Sequence, residues 1–327
     1  MNSTLKLTLA LDRYDRHFPF FDGTVEAPPN VDWKVLQVGE IINLRDGCHR
    51  HGRMIHGQEF DVCEFSMSTY LMARAQGIPL IGIPIFPRRL FSPSQMFVHP
   101  DSGLHHPRDL IGKKVALNSF QTTLSLLAKG DLKFEYGVPW EEIKWYVTKE
   151  ESVAMTKKPG VFIEQIDKAQ DLGAMLETGE IDAFFLPRPP KSVLSGSRKA
   201  RRLFPDTKEE EKRYFQKNGY FPIMHILVMH EDLLARAPWL PKALIDCFTQ
   251  AKVISSAYYE DPNWSSLAWG RHYVECEREA LGADPWPIGF AANRANLERF
   301  IQYSHDQNLI EKLLSVESLF PEQVLST

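Results

Sequence analysis

The stretch FDVCEFSMSTYLMARAQG, residues 60–77, decides the fold because a short apolar run passes directly into a helix-like segment. Glu64 closes the apolar run, and the hydroxyls of Ser66, Ser68 and Thr69 open the segment that follows. A buried strand that leads into a helix is typical of an α/β sheet. A carboxylate at the end of such a strand is costly unless it is paired or used, so the stretch also predicts a functional site.

The same alternation of strands with helical or polar segments continues on both sides of this stretch. Strands are predicted at 5–11, 31–38, 114–117, 143–148 and 181–187. A helix is predicted to begin near Thr123, and LGAMLETGE is predicted to be a helix that ends at Gly179. A further helix is expected in PWLPKALIDCFTQAKVISSAYYE, which has proline near its start. The charged segment 195–219 is predicted to be a solvated surface segment, although Leu203, Phe204, Tyr214 and Phe215 indicate partial order.

Two long apolar stretches, 77–100 and 220–234, are interpreted as crossings between two α/β lobes. The pattern predicts an α/β, two-lobe fold of the type II periplasmic-binding-protein kind with an interlobe cleft. Lobe I is predicted to comprise 1–89 and 231–327, and lobe II to comprise 90–230.

Composition narrows the partners to small molecules. The chain has 327 residues, of which 43% are hydrophobic, and 38 basic residues stand against 42 acidic ones. The chain lacks the surplus of basic residues that would favour binding to nucleic acid or to an anionic membrane. The first apolar run is too short for a signal peptide, and the four cysteines form no CxxC pair, which together predict a cytoplasmic protein with free thiols. A homo-oligomer is possible.

The candidate site residues lie at predicted strand ends, where ligands bind in open α/β sheets. Glu64 and Ser66 lie at one such end, and Asn118 and Gln121 at another. The hydroxyls could cap a helix or bind an anionic ligand. Glu64 could instead form a salt bridge with an arginine. The candidate arginines, which would also suit a di-acid ligand, are Arg88, Arg89 and Arg188.

Histidines offer a second kind of chemistry. CHRHGRMIH (48–56) and LHHP (104–107) lack the spacing of a metal site and are predicted to be solvated, so no metal is expected. His225 differs because it lies in an apolar stretch, where it is either a satisfied core histidine or a proton donor.

Several motifs resemble the 4,5-dihydroxyphthalate decarboxylases. They are YDRH (14–17), residues 60–77, IPIFPRRLF (83–91), residues 121–138, GYFPIMHILV (219–228) and residues 284–310. The resemblance covers nearly the whole chain. It implies the type II binding-protein fold and a cytoplasmic enzyme that removes one carboxylate to give protocatechuate. Arg88 and the pair Ser92-Pro93 depart from the family pattern.

The resemblance implies roles for individual residues. His225 is expected to be the catalytic acid, and Glu64 is expected to orient His225 or to take a phenol proton. The family's FPxR arginine corresponds to Arg89, which is expected to anchor the substrate. Apart from the resemblance, positions in the sequence predict a second anchor at Arg188 and further substrate contacts from Ser66, Ser68, Gln121, Thr122 and Tyr14. No cofactor is implied, since protonation of the ring carbon that bears the carboxylate opens a route without one. The alternative is a solute-binding protein for an aromatic or other organic carboxylate.

Overall fold

A computed structural model describes residues 4–39 and 50–327. Its strands are β1 (Leu5–Leu11), β2 (Val31–Gln37), β3 (Val62–Ser66), β4 (Leu80–Arg89), β5 (Met96–Val98), β6 (Lys114–Leu117), β7 (Lys144–Val147), β8 (Ile163–Gln165), β9 (Ala183–Phe185), β10 (Arg201–Arg202) and β11 (Ile223–His230). Its α-helices are α1 (Phe18–Phe21), α2 (Arg50–Gly52), α3 (Met67–Ala75), α4 (Thr123–Phe134), α5 (Leu172–Thr178), α6 (Lys191–Leu194), α7 (Thr207–Asn218), α8 (Glu231–Arg236), α9 (Leu240–Tyr258), α10 (Gly270–Leu281) and α11 (Arg294–Asp306). Short 3-10 helices lie at Asp15–His17, Pro93–Gln95, Pro107–Leu110, Trp140–Glu142, Ala291–Asn293, Glu317–Leu319 and Glu322–Val324, and a π-helical turn lies at Arg53–Gly57.

The described residues divide into two compact α/β units, which confirms the predicted fold class. Unit 1 comprises residues 1–88, 225–295 and 314–327, and unit 2 comprises residues 89–224 and 296–313.

The sheet of unit 1 has the strand order β2-β1-β3-β11-β4 over the described residues. Strand β1 runs parallel to β2 and β3, whereas β11 runs antiparallel to β3. In the β3–β11 pair, His225 lies opposite Ser66 and Leu227 lies opposite Glu64. Because paired residues share a face and side chains alternate along a strand, Glu64 and His225 lie on the same face of this sheet.

The sheet of unit 2 has the order β10-β5-β9-β6-β7-β8 in the part of the chain that the structure describes. Strand β6 runs parallel to β7 and β9, and β5 closes antiparallel on β9. One face is covered by α5, whose Leu172 and Leu176 pack with Phe97 and Phe184 in a buried apolar cluster. Ala116 of β6 belongs to the same cluster, so α5 packs against the strand that precedes α4.

Residues 296–313 belong to unit 2, whereas the sequence analysis placed them with lobe I. The physical reason is a set of buried polar contacts made by the second half of α11 and the turn after it. Tyr303 donates a hydrogen bond to Asp131 at 3.0 Å, and Gln307 donates to the carbonyl of Leu126 at 2.8 Å. The ring of Tyr303 also covers Gly130 so closely that a Cβ there would meet it at 2.0 Å.

Local signals explain where the helices begin and end. Ser66 caps α3 by accepting a hydrogen bond from the N–H of Thr69, and Gly179 ends α5 with a positive φ of 77°, a conformation that glycine adopts at little cost. The strands predicted around 5–11, 31–38 and 114–117 and the helix near Thr123 are confirmed.

The predicted surface segment 195–219 forms a helix over its second half, which was not predicted. Residues 207–218 form the helix α7, which Asp206 caps through the N–H of Glu209. Tyr214 is buried and anchors the helix, so a single aromatic side chain outweighs the charged character of the segment. No helix among the described residues is long and apolar enough to cross a membrane.

Candidate active site

The carboxylate of Glu64 is fully buried at the end of β3 and is surrounded by hydrogen-bond donors. The N–H of Asp12 donates to its Oε2 at 2.9 Å, and the hydroxyl of Tyr14 donates to its Oε1 at 3.3 Å. Nδ1 of His225 lies 2.5 Å from the same Oε1. Three of the predicted site residues, Glu64, His225 and Tyr14, therefore lie in contact within unit 1.

Arg50, which no pattern in the sequence indicated, is the ion-pair partner of Glu64. Its Nη2 lies 3.2 Å from Oε1 of Glu64, and its Nε donates to the backbone carbonyl of Glu64 at 2.7 Å. A third bond runs from Nη1 to the carbonyl of Val38 at 2.5 Å. The predicted alternative, a salt bridge to an arginine, is thus present, but the arginine is not one of the three considered.

The two ionisable groups of the pair are shifted by different causes. Burial alone would raise the pKa of Glu64, but the charge of Arg50 and the hydrogen bond from His225 outweigh it and hold that pKa well below its usual range. Burial lowers the pKa of His225 to about 4, despite the opposing effect of Glu64. At neutral pH the carboxylate is therefore ionised and the imidazole is neutral.

These protonation states assign the tautomer of His225. Glu64 can only accept a hydrogen bond, so the single ring proton of the neutral imidazole sits on Nδ1 and is donated to Oε1. The other ring nitrogen, Nε2, is left with a lone pair. An imidazole held this way can take up a proton at Nε2 and give it away again, because the carboxylate stabilises the imidazolium that forms.

His51 is half-buried beside this pair, contrary to the prediction of a solvated side chain, whereas His56 is exposed as predicted. Its ring packs edge-on against that of His225 with centroids 5.5 Å apart and also against Phe65 at 5.0 Å. Cys48 and His49 lie outside the described residues. His105 and His106 are exposed, as predicted for residues 104–107.

Arg88 presents a positive charge to the same site. It ends the part of β4 that belongs to unit 1, and β4 is the neighbour of β11 in the sheet. The charge of Arg88 acts on both His225 and Tyr14, in each case in the direction that lowers the pKa. Among the described residues the Arg88 guanidinium makes no hydrogen bond or ion pair. It is half-buried and is thus available to an anion.

The side chain of Ser66 is occupied by helix α3 itself. Oγ of Ser66 accepts hydrogen bonds from the N–H of Thr69 at 3.4 Å and from its hydroxyl at 3.1 Å. Ser68 is fully buried in the first turn of the helix. Capping, one of the two uses considered for these hydroxyls, therefore accounts for Ser66.

The other predicted contacts, Arg89, Arg188, Gln121 and Thr122, lie in unit 2. Arg89 is buried and donates to the carbonyl of Phe221 at 2.6 Å, and Arg188 is exposed three residues after β9. Gln121 is buried and donates to the carbonyl of Val153 at 2.9 Å, and Thr122 shares a hydrogen bond with Ser125 at 2.6 Å. Their contact with a substrate stays a prediction.

A carboxylate of the chain itself covers the turn before α4. The carboxylate of Glu151 accepts hydrogen bonds from the N–H of Phe120 at 2.6 Å and from the N–H of Gln121 at 3.1 Å. These amides are therefore not free for a ligand. The buried Lys129 donates to the carbonyl of Phe120 at 2.6 Å, and burial holds its pKa well below the usual range. Within the described residues, no cluster of three or more His, Cys, Asp or Glu could hold a metal ion.

Comparison with known proteins confirms the resemblance that the motifs predicted. The chain is 29% identical over 327 residues to a 4,5-dihydroxyphthalate decarboxylase of Comamonas testosteroni, and the alignment covers 97% of each protein. It is 26% identical over 223 residues to a protein of the same name from Pseudomonas putida, covering 66% of this chain and 83% of the relative. Both relatives are named as enzymes. No family model matches the chain.

Solved structures with this fold include both binding proteins and an enzyme. The periplasmic aliphatic sulphonate binding protein SsuA of Escherichia coli aligns with a TM-score of 0.57 and 13% identity over 98% of this chain and 93% of its own. The desulfurization enzyme DSZB aligns with a TM-score of 0.52 and 15% identity over 98% of both chains. The fold is therefore that of the solute-binding proteins, as predicted, and it leaves the choice between binding and catalysis to the site.

Replacing Arg50 by methionine tests the ion pair that holds Glu64. We expect Arg50→Met to lower the free energy of unfolding by about 3–5 kcal/mol, because it leaves a buried carboxylate without its cation. Urea denaturation followed by circular dichroism measures the change. The matched control is Arg53→Met, which breaks a partly exposed pair with Glu59 at 2.8 Å and should cost less than about 1 kcal/mol. Equal effects of the two changes would contradict the importance of the buried pair.

Proposed function

We propose that this chain is an enzyme that decarboxylates 4,5-dihydroxyphthalate, or a closely related hydroxylated aromatic di-acid, to protocatechuate and CO2. The observation that carries the proposal is the buried Glu64–His225 pair, with Nδ1 of the imidazole 2.5 Å from the carboxylate. A protein that only binds a solute needs anchors, whereas this pair is equipped to move a proton. The activity by which both relatives are named requires a proton transfer of this kind.

The reaction sets clear demands on the site. Direct loss of CO2 from an aromatic ring would leave an unstable aryl carbanion, so protonation of the ring carbon bearing the carboxylate comes first. The hydroxyl oxygen para to that carbon supplies the electron density that accepts the proton. The bond from the ring to the carboxylate then breaks, its electron pair restores the aromatic ring, and CO2 leaves. One proton is consumed in each turnover, and the chemistry needs no cofactor.

His225 is the proposed proton donor. Its imidazole is neutral before substrate binds, because burial lowers its pKa to about 4, so it must first gain a proton at Nε2. A doubly negative substrate favours that step, since nearby negative charge raises the pKa of a histidine. Nε2 then gives the proton to the ring carbon and regains one from solvent in the next cycle.

The proposed role of Glu64 is to orient His225 rather than to take a phenol proton. Its oxygens already accept bonds from Asp12, Tyr14 and His225, and its side chain has no exposed surface. A substrate hydroxyl could reach it only by displacing these donors. Glu64 instead fixes the tautomer of the His225 imidazole and stabilises the imidazolium that forms. A carboxylate that is hydrogen-bonded to a catalytic histidine commonly has this role.

Arg88 is the proposed anchor for a substrate carboxylate in unit 1. Its guanidinium is half-buried and, over the described residues, unpaired. Guanidinium groups bind carboxylates through two parallel hydrogen bonds. Pairing also removes a positive charge that otherwise lowers the pKa of His225, so binding of the substrate promotes protonation of the acid. Arg89 and Arg188 stay predictions as further anchors, as do a homo-oligomer and a cytoplasmic location.

Incubation of the purified protein with 4,5-dihydroxyphthalate tests the function directly. We expect equal amounts of CO2 and protocatechuate, followed by gas analysis and chromatography. Phthalate, which lacks the para hydroxyl, should bind without reacting. If both compounds bind and neither reacts, the solute-binding alternative replaces the enzyme.

Substitution of the proton-transfer pair tests the mechanism. We expect Glu64→Gln and His225→Asn each to lower kcat by roughly 100-fold or more. The first change removes the carboxylate that orients the proton donor, and the second removes the donor itself. The double variant should lose little beyond either single one, since the two residues act together. Titration with phthalate checks that binding survives, and Glu59→Gln, which neutralises an exposed carboxylate, is the control. Normal turnover by Glu64→Gln would refute the mechanism.

Substitution of Arg88 tests the anchor. We expect Arg88→Met to raise the KM for the di-acid by roughly tenfold or more, the usual scale for losing a charge-assisted contact. The preference for phthalate over benzoate should fall by a similar factor, and Arg88→Lys should restore part of both. Lys34→Met, which removes an exposed cation from β2, is the charge-matched control. An unchanged preference in Arg88→Met would assign the anchor elsewhere.

A further inference from the structure

Unit 1 contains a cavity that the proposed reaction does not use. Its volume is about 470 Å³, within the range of sites that hold small organic ligands. Its walls come from α9, α10, the segment 282–288, the end of β4 and the turn Asp15–His17. Glu64, His225 and Arg88 are not among its lining residues.

Helix α10 covers this cavity without filling it. None of its twelve residues is buried, whereas the neighbouring α9 buries seven, among them Phe248. Helices in proteins gain most of their stability by packing an apolar face. The space beneath α10 therefore lies where a well-packed protein would place further apolar atoms.

The chemistry of the lining disfavours an acid. Its apolar part includes Phe86, Phe248, Val274 and Trp286. Each of its cations is already paired within the chain. Lys252 contacts Asp284 at 2.5 Å, Arg16 contacts Asp15 at 3.2 Å, and Arg278 is paired with Glu260.

The one remaining charge in the lining is a carboxylate. Glu277 makes no ion pair or hydrogen bond within residues 4–39 and 50–327. It would repel an organic anion and would accept a hydrogen bond from a neutral ligand.

From this lining we infer that the cavity is a second small-molecule site, which takes a neutral aromatic molecule bearing a hydroxyl group rather than an organic acid. Aromatic and aliphatic walls supply the apolar contact, and Glu277 supplies the acceptor for the hydroxyl. The turn Asp15–His17 separates the ligand from the Glu64 network: Arg16 stacks on Tyr14 at 4.1 Å, and His17 contacts both Tyr14 and Phe248. The inference does not depend on the proposed decarboxylation.

Binding of 2-naphthol and 2-naphthoate, measured by equilibrium dialysis at neutral pH, tests the inference. The two probes share a ring system and differ in charge. We expect one 2-naphthol per chain, bound roughly tenfold or more tighter than 2-naphthoate. Excess phthalate should not displace it, and His225→Asn should bind it normally, so the result stands apart from the test of the enzyme. Equal binding of the probes, or displacement by phthalate, would overturn the site.

Cavity-filling variants locate the binding. Val274→Trp fills the space from α10, and Ser256→Leu does so from α9, so that one remains informative if the other fails to fold. Each should weaken 2-naphthol binding roughly tenfold or more. Val253→Trp places the same ring on an exposed position of α9 outside the lining and should bind like the wild type. Unchanged binding in both filling variants would overturn the inference.

Discussion

The burial of one negative charge organises unit 1. A carboxylate removed from water is stable only if donors surround it, and the donors around Glu64 come from separate parts of the sequence. Arg50 comes from α2, the Asp12 amide follows β1, and His225 comes from β11. Since each donor must be within bonding distance of the same two oxygens, the ends of three neighbouring strands are fixed relative to one another. The precision that a proton transfer needs thus follows from the cost of burying the charge.

Local patterns in the sequence predicted most of the strands and helices, because apolar alternation, caps and breakers act within a few residues. They also predicted Glu64 and His225, which interrupt apolar strands. Arg50 could not be found in this way. It lies in a polar segment without periodicity, and the partner of a buried charge is selected by proximity in the folded chain rather than by spacing in the sequence.

The two arginines at the end of β4 show a similar limit of prediction from sequence. Successive side chains of a strand point to opposite faces, so only one of Arg88 and Arg89 can lie on a given face of the sheet. The sequence alone does not say which of them faces His225, and the family pattern favoured Arg89. In the structure the charge of Arg88 acts on His225, whereas Arg89 is bonded to the carbonyl of Phe221 in unit 2. The helix α7 within the segment 195–219 was not predicted for another reason, since charged residues dominate its sequence and Tyr214 is its one buried residue.

The fold is compatible with two functions, solute binding and catalysis, and a small number of side chains distinguishes them. Proteins that capture a solute and at least one named enzyme share its architecture. A binding protein has no use for a neutral imidazole held by a buried carboxylate, because that arrangement costs desolvation and adds no anchor for an anion. In a chain whose relatives are named as decarboxylases, the pair is better explained by chemistry than by affinity.

The contribution of residues 296–313 to unit 2 has a consequence for biosynthesis. Tyr303 and Gln307 complete the packing around Gly130, Asp131 and Leu126, which the ribosome makes much earlier. Unit 1 likewise includes residues 314–327, which follow the whole of unit 2 in the sequence. Neither unit can complete its packing until residues 296–327 have been synthesised, so both units mature late relative to their first strands. Until then the apolar surfaces of two incomplete cores are exposed to aggregation. A protein whose domains follow one another along the sequence avoids this, because each domain can fold as soon as it has been made.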